Sequence, residues 1–212
     1  MSYFPFFIDL QGQQGLIVGG GSVAFRKVQA LLEFGAQLHV VSLEFCCALQ
    51  ELADQQESAR ISLHKRAFQE SDLEGRLFVI TASSDETLNH RIAQLCRERQ
   101  ILVNVVDQKK DCSFYFPALV KREEIVVGIS SGGKSPALAH RLRQKAETLI
   151  PDYYQDLNEQ LGRLRERVLE DIVEEDLRKR CFEELLQEGE RRQGRLPEEI
   201  AERIIEMYVK YN

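Results

Sequence analysis

Three consecutive glycines, Gly19-Gly20-Gly21, follow the apolar run Leu16-Ile17-Val18 and precede a helical pattern that starts near Val23. Strand, tight turn and helix in that order leave few architectures open. The spacing Gly19-x-Gly21-x-x-Ala24 fits the dinucleotide fingerprint in its G-x-G-x-x-A form. Gly19 permits the sharp turn, Gly21 lets the backbone approach a pyrophosphate, and Ala24 is small enough for the helix to pack on the strand. The first free N–H groups of that helix, at Ser22 and Val23, and its positive dipole end would hold the phosphates.

The pattern continues as βαβ. A helical stripe runs from Val23 to Phe34 and stops at Gly35, and Gln37 to Val41 reads as a second strand. Ser42 stands at the end of that strand, where an acidic residue commonly takes the ribose hydroxyls. Glu44 lies two residues on, and no Lys or Arg falls between Ser42 and Gln50. The expected cofactor is therefore NAD rather than NADP. Ile61 to Arg66, Leu77 to Ala82 and Leu102 to Val106 read as three more strands. The turn Ser83-Ser84-Asp85 caps a helix whose apolar face is Leu88, Ile92, Leu95 and Cys96. Strands alternating with helices predict an α/β fold with a doubly wound, Rossmann-like parallel sheet, whose ligands sit at the C-terminal strand ends. Gly19, Ser42, Ser83 and Asp107 all fall at such ends.

Past Asp107 the rhythm changes. Phe114 to Val120 and Ile125 to Ser130 read as a β-hairpin joined by a charged turn. Ser135 and Pro136 then open a helix that runs to about Ile150, as N-cap and first helical residue. The remainder reads as two or three charged amphipathic helices, the last opening at Pro197.

Composition narrows the classes of function. The chain of 212 residues has a formal net charge of −6, and the segment after residue 150 carries that whole excess. Residues 109–145 reverse the sign, with eight basic residues against three acidic ones, enough to meet an anionic small molecule. An acidic chain argues against nucleic acid. No apolar run reaches the ~20 residues of a membrane span, and Asp9 interrupts the apolar N-terminus, so neither a membrane segment nor a signal peptide is expected. Five cysteines without a C-x-x-C pair suit a reducing cytoplasm better than a disulfide framework or a zinc site. His39, His64, His90 and His140 show no metal-ligand spacing, and no metal site is expected.

With these segments read, the chain resembles the precorrin-2 dehydrogenase/sirohydrochlorin ferrochelatase family of sirohaem synthesis. Five ordered blocks carry the resemblance: Pro5 to Leu10, Val18 to Ala24 with Arg26-Lys27, Val103-Asn104-Val105-Val106-Asp107, Ser113 to Ala118, and Ser130 to Ala139. The chain looks like the stand-alone form, without the methyltransferase domain of fused members. The resemblance implies NAD-dependent oxidation of precorrin-2 to sirohydrochlorin, with iron or cobalt insertion as a second activity of some members. It also implies a homodimer. The family's catalytic aspartate maps onto Asp107. Its NAD contacts map onto Gly19, Gly21, Ser22 and Val23, onto Leu43 and Glu44, and onto Thr81, Ala82 and Ser83.

Asn104, Ser113, Ser131 and Lys134 are expected at the tetrapyrrole. For Ser131 and Lys134 the reason is a glycine-rich turn before a helix, which offers N–H groups and charge to a substrate with eight carboxylates. The implied domains are residues 1–112 for the nucleotide, 113–150 for dimerisation and substrate, and 151–212 as a helical domain. The alternative is a non-catalytic NAD-binding sensor, which needs the glycine turn but no base at the fifth strand.

Overall fold

A computed structural model describes residues 4–55 and 60–210. Five parallel strands form the first sheet: β1 (Gln14–Val18), β2 (Gln37–Ser42), β3 (Ile61–Lys65), β4 (Phe78–Thr81) and β5 (Leu102–Val105), in the order β3-β2-β1-β4-β5. Three helices connect them: α1 (Ser22–Leu32), α2 (Cys47–Gln55) and α3 (Glu86–Glu98). Strand residues alternate between two buried cores, as a pleated sheet covered on both faces requires. Ile17, Leu38, Val40 and Ile80 join Ala24, Val28 and Leu31 of α1 and Leu49 of α2. Leu16, Val18, Val41, Val79, Val103 and Val105 join Ile92, Ala93 and Cys96 of α3. The order reverses between β1 and β4, so the glycine turn after β1 sits at the topological switch point.

The caps follow the local sequence. Gly35 takes φ +75°, which ends the turn after α1. Asp85 caps α3 by accepting from the Leu88 N–H at 2.9 Å.

The chain divides into two compact units, 1–116 and 117–212. The sequence predicts a nucleotide domain of residues 1–112. Phe114 and Phe116 pack against the α1-side core, and the Ser113 N–H donates to the Val103 carbonyl at 2.8 Å, so residues 113–116 complete the first unit. For the same reason the expected strand from Phe114 begins only at Ala118, after Pro117, which has no N–H to give a ladder.

The second unit holds the antiparallel pair β6 (Ala118–Arg122) and β7 (Ile125–Ile129), against which α4 (Pro136–Leu149) packs. The Ser135 hydroxyl caps α4 by accepting from the Leu138 N–H, with Pro136 in the first turn, as expected. Three helices follow: α5 (Tyr153–Asp171), α6 (Glu175–Arg191) and α7 (Glu198–Val209), the last preceded by Pro197. They share a core of Leu157, Val168, Ile172, Cys181, Leu185 and Ile205. A Cβ on Gly189 of α6 would overlap the buried Leu157 side chain of α5, so glycine there sets how closely the two helices approach.

The β3–β4 connection is tied by a buried carboxylate. Asp72 accepts from Arg66 at 2.6 and 2.8 Å and from the Gln69 N–H at 2.8 Å. The Arg66 guanidinium, the largest cause, holds its carboxyl below the usual carboxylate range. Such a group stabilises the fold only while ionised. Its contribution is complete above the free value of about pH 4 and drains away as pH falls toward the lower folded value. Asp72→Asn is expected to cost about 1–3 kcal/mol at neutral pH, discounted for the partial exposure of Arg66. Denaturant melts at neutral pH and below pH 4 check this: the gap between the two proteins should shrink with acid.

Candidate functional site

The rim at the C-terminal strand ends of the first unit gathers the residues of the glycine turn, the β2 end, the β4–α3 turn and the β5 end. The three glycines do different work there. Gly19 has φ +124°, a region L side chains rarely adopt, and a Cβ on it would lie 2.5 Å from the Ala82 carbonyl oxygen. A Cβ on Gly20 would overlap the Glu44 carbonyl oxygen, because the Cys46 N–H donates to the Gly20 carbonyl at 2.8 Å and draws the β2–α2 loop over the turn. A Cβ on Gly21 would meet nothing within 4 Å. The open face of Gly21, the N-cap of α1, is the place a phosphate can approach. No side chain caps that helix, so the N–H groups at Ser22 and Val23 are not spent on one.

Around this turn, Leu43 and Glu44 are exposed just past β2. Thr81 is fully buried at the end of β4, and its hydroxyl oxygen has no partner among the described residues. Ser83 accepts from Asp85 N–H through its hydroxyl and from Asn89 through its carbonyl. An uncapped helix start, a glycine with open space and an orphaned buried hydroxyl together suit a dinucleotide.

Asp107 is exposed at the end of β5 with φ +61°. This left-handed conformation is one that Asp and Asn tolerate better than most residues. The loop that carries it is laced shut. Cys112 Sγ accepts from the Val105 N–H at 3.2 Å and lies 3.2 Å from the Val105 carbonyl, and burial pushes its thiol pKa up. Asp111 is buried and bonds His90 Nδ1 at 2.9 Å and Arg97 at 3.2 Å, both on α3. The His90 bond, then Arg97, keeps its carboxyl below the ordinary range against the opposing cost of burial.

Asn104, buried on β5, donates to the Phe114 carbonyl at 3.0 Å. The Ser113 hydroxyl is engaged with Val103, accepting from its N–H at 2.8 Å. Ser131 and Lys134 belong to the second unit, in the turn before α4. There the Ser131 hydroxyl accepts from the Ser135 N–H at 3.0 Å, and Gly132 and Gly133 take positive φ.

Two features escaped the sequence reading. Parallel register sets Lys65 of β3 beside Ser42 of β2, a cation near the ribose position that inspection of residues 42–50 does not reveal. The same pairing brings His39 and His64 together, with Nδ1 and Nε2 3.4 Å apart and Ser62 Oγ near both. Among the described residues, no group of three or more His, Cys, Asp or Glu is placed to hold a metal.

The fold and this rim define a Rossmann-type, dinucleotide-binding protein. Residues 6–118 match the family described as "Putative NAD(P)-binding", and the chain belongs to it. It is 39% identical over 184 residues to the siroheme synthase of Photorhabdus laumondii subsp. laumondii, covering 87% of this chain and 38% of that protein. It is 40% identical over 205 residues to the siroheme synthase of Pseudomonas aeruginosa, covering 97% of this chain and 41% of that protein. The chain thus spans about two fifths of the length of these curated relatives. A solved structure, SirC, precorrin-2 dehydrogenase, matches 99% of this chain and 100% of its own with a TM-score of 0.76 at 22% identity, a likeness of fold.

Gly20 and Gly21 are expected to fail differently. Gly20→Ala forces the β2–α2 loop off the turn and lowers the melting temperature, by about 1–3 kcal/mol of stability. Gly21→Asp folds normally but loses NAD binding, since its carboxylate would occupy the phosphate approach. Calorimetric titration with NAD beside thermal melts of both variants checks the pair.

Proposed function

We propose that this chain is an NAD-dependent precorrin-2 dehydrogenase of sirohaem synthesis, acting on a polycarboxylate tetrapyrrole. The observation that carries the proposal is the carboxylate of Asp107 on the nucleotide rim, in the block Val-Asn-Val-Val-Asp. A sensor module has no use for a base there. Similarity to siroheme synthases over most of the chain supports the same reading.

The dinucleotide would lie along Gly19, Gly21, Ser22 and Val23, with Leu43 and Glu44 at its adenosine end and Thr81 to Ser83 alongside. Glu44 favours NAD by accepting from ribose hydroxyls, while Lys65 offers a weaker welcome to a 2′-phosphate. When bound, NAD supplies the hydride acceptor. Oxidation of the macrocycle also releases a proton, and Asp107 would take it as general base. The lacing of residues 105–113 fixes the backbone that carries that carboxylate, which reduces the entropy lost on reaching a productive geometry. Asn104, Ser113, Ser131 and Lys134 are proposed contacts to the substrate. Iron or cobalt insertion would require pyrrole N–H groups to lose protons, and Asp107 suits that step too.

A homodimer is proposed as well. Within the second unit α4 has no buried residue, and Leu138, Leu142 and Leu149 are exposed on it beside a lone two-stranded sheet, a combination of marginal stability in water. Sedimentation at micromolar concentration is expected to give twice the mass of the chain; a monomer would refute this.

Asp107→Asn keeps the left-handed backbone conformation at no steric cost and removes the base. Turnover of precorrin-2 at saturating NAD, measured anaerobically, is expected to fall ~10²–10⁴-fold while the melt and NAD affinity stay unchanged. Near-normal turnover in that folded variant would return Asp107 to the role of a turn residue.

A further inference from the structure

The charged groups that the first unit draws out of water are generally paired. Asp72 meets Arg66, and Asp111 meets His90 and Arg97. Lys27, in the second turn of α1, is different. Its ammonium lies 3.7 Å from the centroid of the Phe116 ring, and no carboxylate pairs with it among the described residues. Its pKa is lowered to about 8, by burial first and then by Arg26, with the Cys112 thiol opposing.

A second ammonium, that of Lys109, stands 5.9 Å from the ring of Tyr115, so two cations flank neighbouring aromatic side chains. The Cys112 thiol, which acts electrostatically on the Lys27 ammonium, belongs to the loop that carries Asp107. Cys112 touches Val105 and Gln108, the residues on either side of the Val106–Asp107 pair.

We propose that Lys27 is a carboxylate-binding residue of the substrate site, taking one acid side chain of the tetrapyrrole and so helping to set specificity for a polycarboxylate macrocycle. This rests on the functional reading above. A half-buried ammonium held only by a ring face is poised for an anion, since an incoming carboxylate restores the pairing that burial removed. The phosphates of the dinucleotide are the competing anions. They belong at the first turn of α1, however, whereas Lys27 is the sixth residue of that helix.

The groups facing the ammonium are Arg26 on its own helix, the Cys112 thiol and the neutral Phe116 ring. Lys27 is charged below its lowered value, so its contribution to substrate binding is present at neutral pH and fades as pH rises through about 8.

The test is steady-state kinetics of the full chain as wild type, Lys27→Met and Lys27→Arg, with NAD affinity and a melt for each. Lys27→Met, similar in length and able to stack on Phe116, is expected to raise KM for precorrin-2 by about tenfold or more, with kcat and NAD affinity nearly unchanged. Lys27→Arg should restore most of the loss. Between about pH 7 and about pH 9 the wild-type KM should climb toward that of Lys27→Met, whose own KM stays flat. An unchanged KM in folded Lys27→Met overturns the assignment while leaving the dehydrogenase reading intact. Weakened NAD binding assigns the residue to the cofactor instead, and a fall in kcat alone assigns it to the chemistry; either overturns the proposal. If the wild-type protein does not oxidise precorrin-2, the functional reading fails and this inference fails with it.

Discussion

The close approach of three backbone segments at the end of β1 is the constraint on which the site depends. Gly19 lies against the Ala82 carbonyl and Gly20 against the Glu44 carbonyl, so the turn is wedged between the strand ends on either side of it. Side chains at these two positions would push the β2 and β4 loops apart. With glycine, the turn leaves the start of α1 bare at the switch point of the sheet, and the helix presents N–H groups that would cost free energy if buried without an acceptor. The geometry that packs the domain also creates its demand for an anion.

The opposite side of the rim is fixed by other means. Asp107 holds a left-handed conformation at the head of a loop whose base is closed by Cys112 and Ser113 on β5 and by Asp111 on α3. None of these ties involves the Asp107 carboxylate itself. The scaffold and the proposed base are thus separable: the backbone position is set by neighbours, while the side chain stays exposed.

Much of this was legible in the sequence because it is local. The glycine spacing, the buried strand Leu77 to Ala82, the Asp85 and Ser135 caps and the opening at Pro197 are each encoded within a few residues, and hydrophobic period distinguishes strand from helix. Pairings across the sheet were not legible. Lys65 beside Ser42, His39 beside His64, and Asp111 between His90 and Arg97 arise from strand register or from packing between separated segments. The extent of the first compact unit, to residue 116, has a similar origin. Phe114 and Phe116 are apolar enough for a strand, but where they pack depends on a core made elsewhere. The bond between the Ser113 hydroxyl and the Val103 backbone is of the same kind, joining groups ten residues apart.

That engagement bears on the solubility of the sheet. β5 is an edge strand, and an open edge invites pairing with any other extended chain. The Val103 N–H is taken by the Ser113 hydroxyl and its carbonyl by the Ser113 and Phe114 N–H groups, so the returning chain occupies hydrogen-bonding positions that another strand would need. The opposite edge, β3, pairs with no further strand among the described residues; it is only five residues long and carries Ser62, His64 and Lys65. One edge is closed by the protein's own backbone and the other is kept short and polar. The residues just after the loop bearing Asp107 therefore also act as a guard against strand-to-strand aggregation.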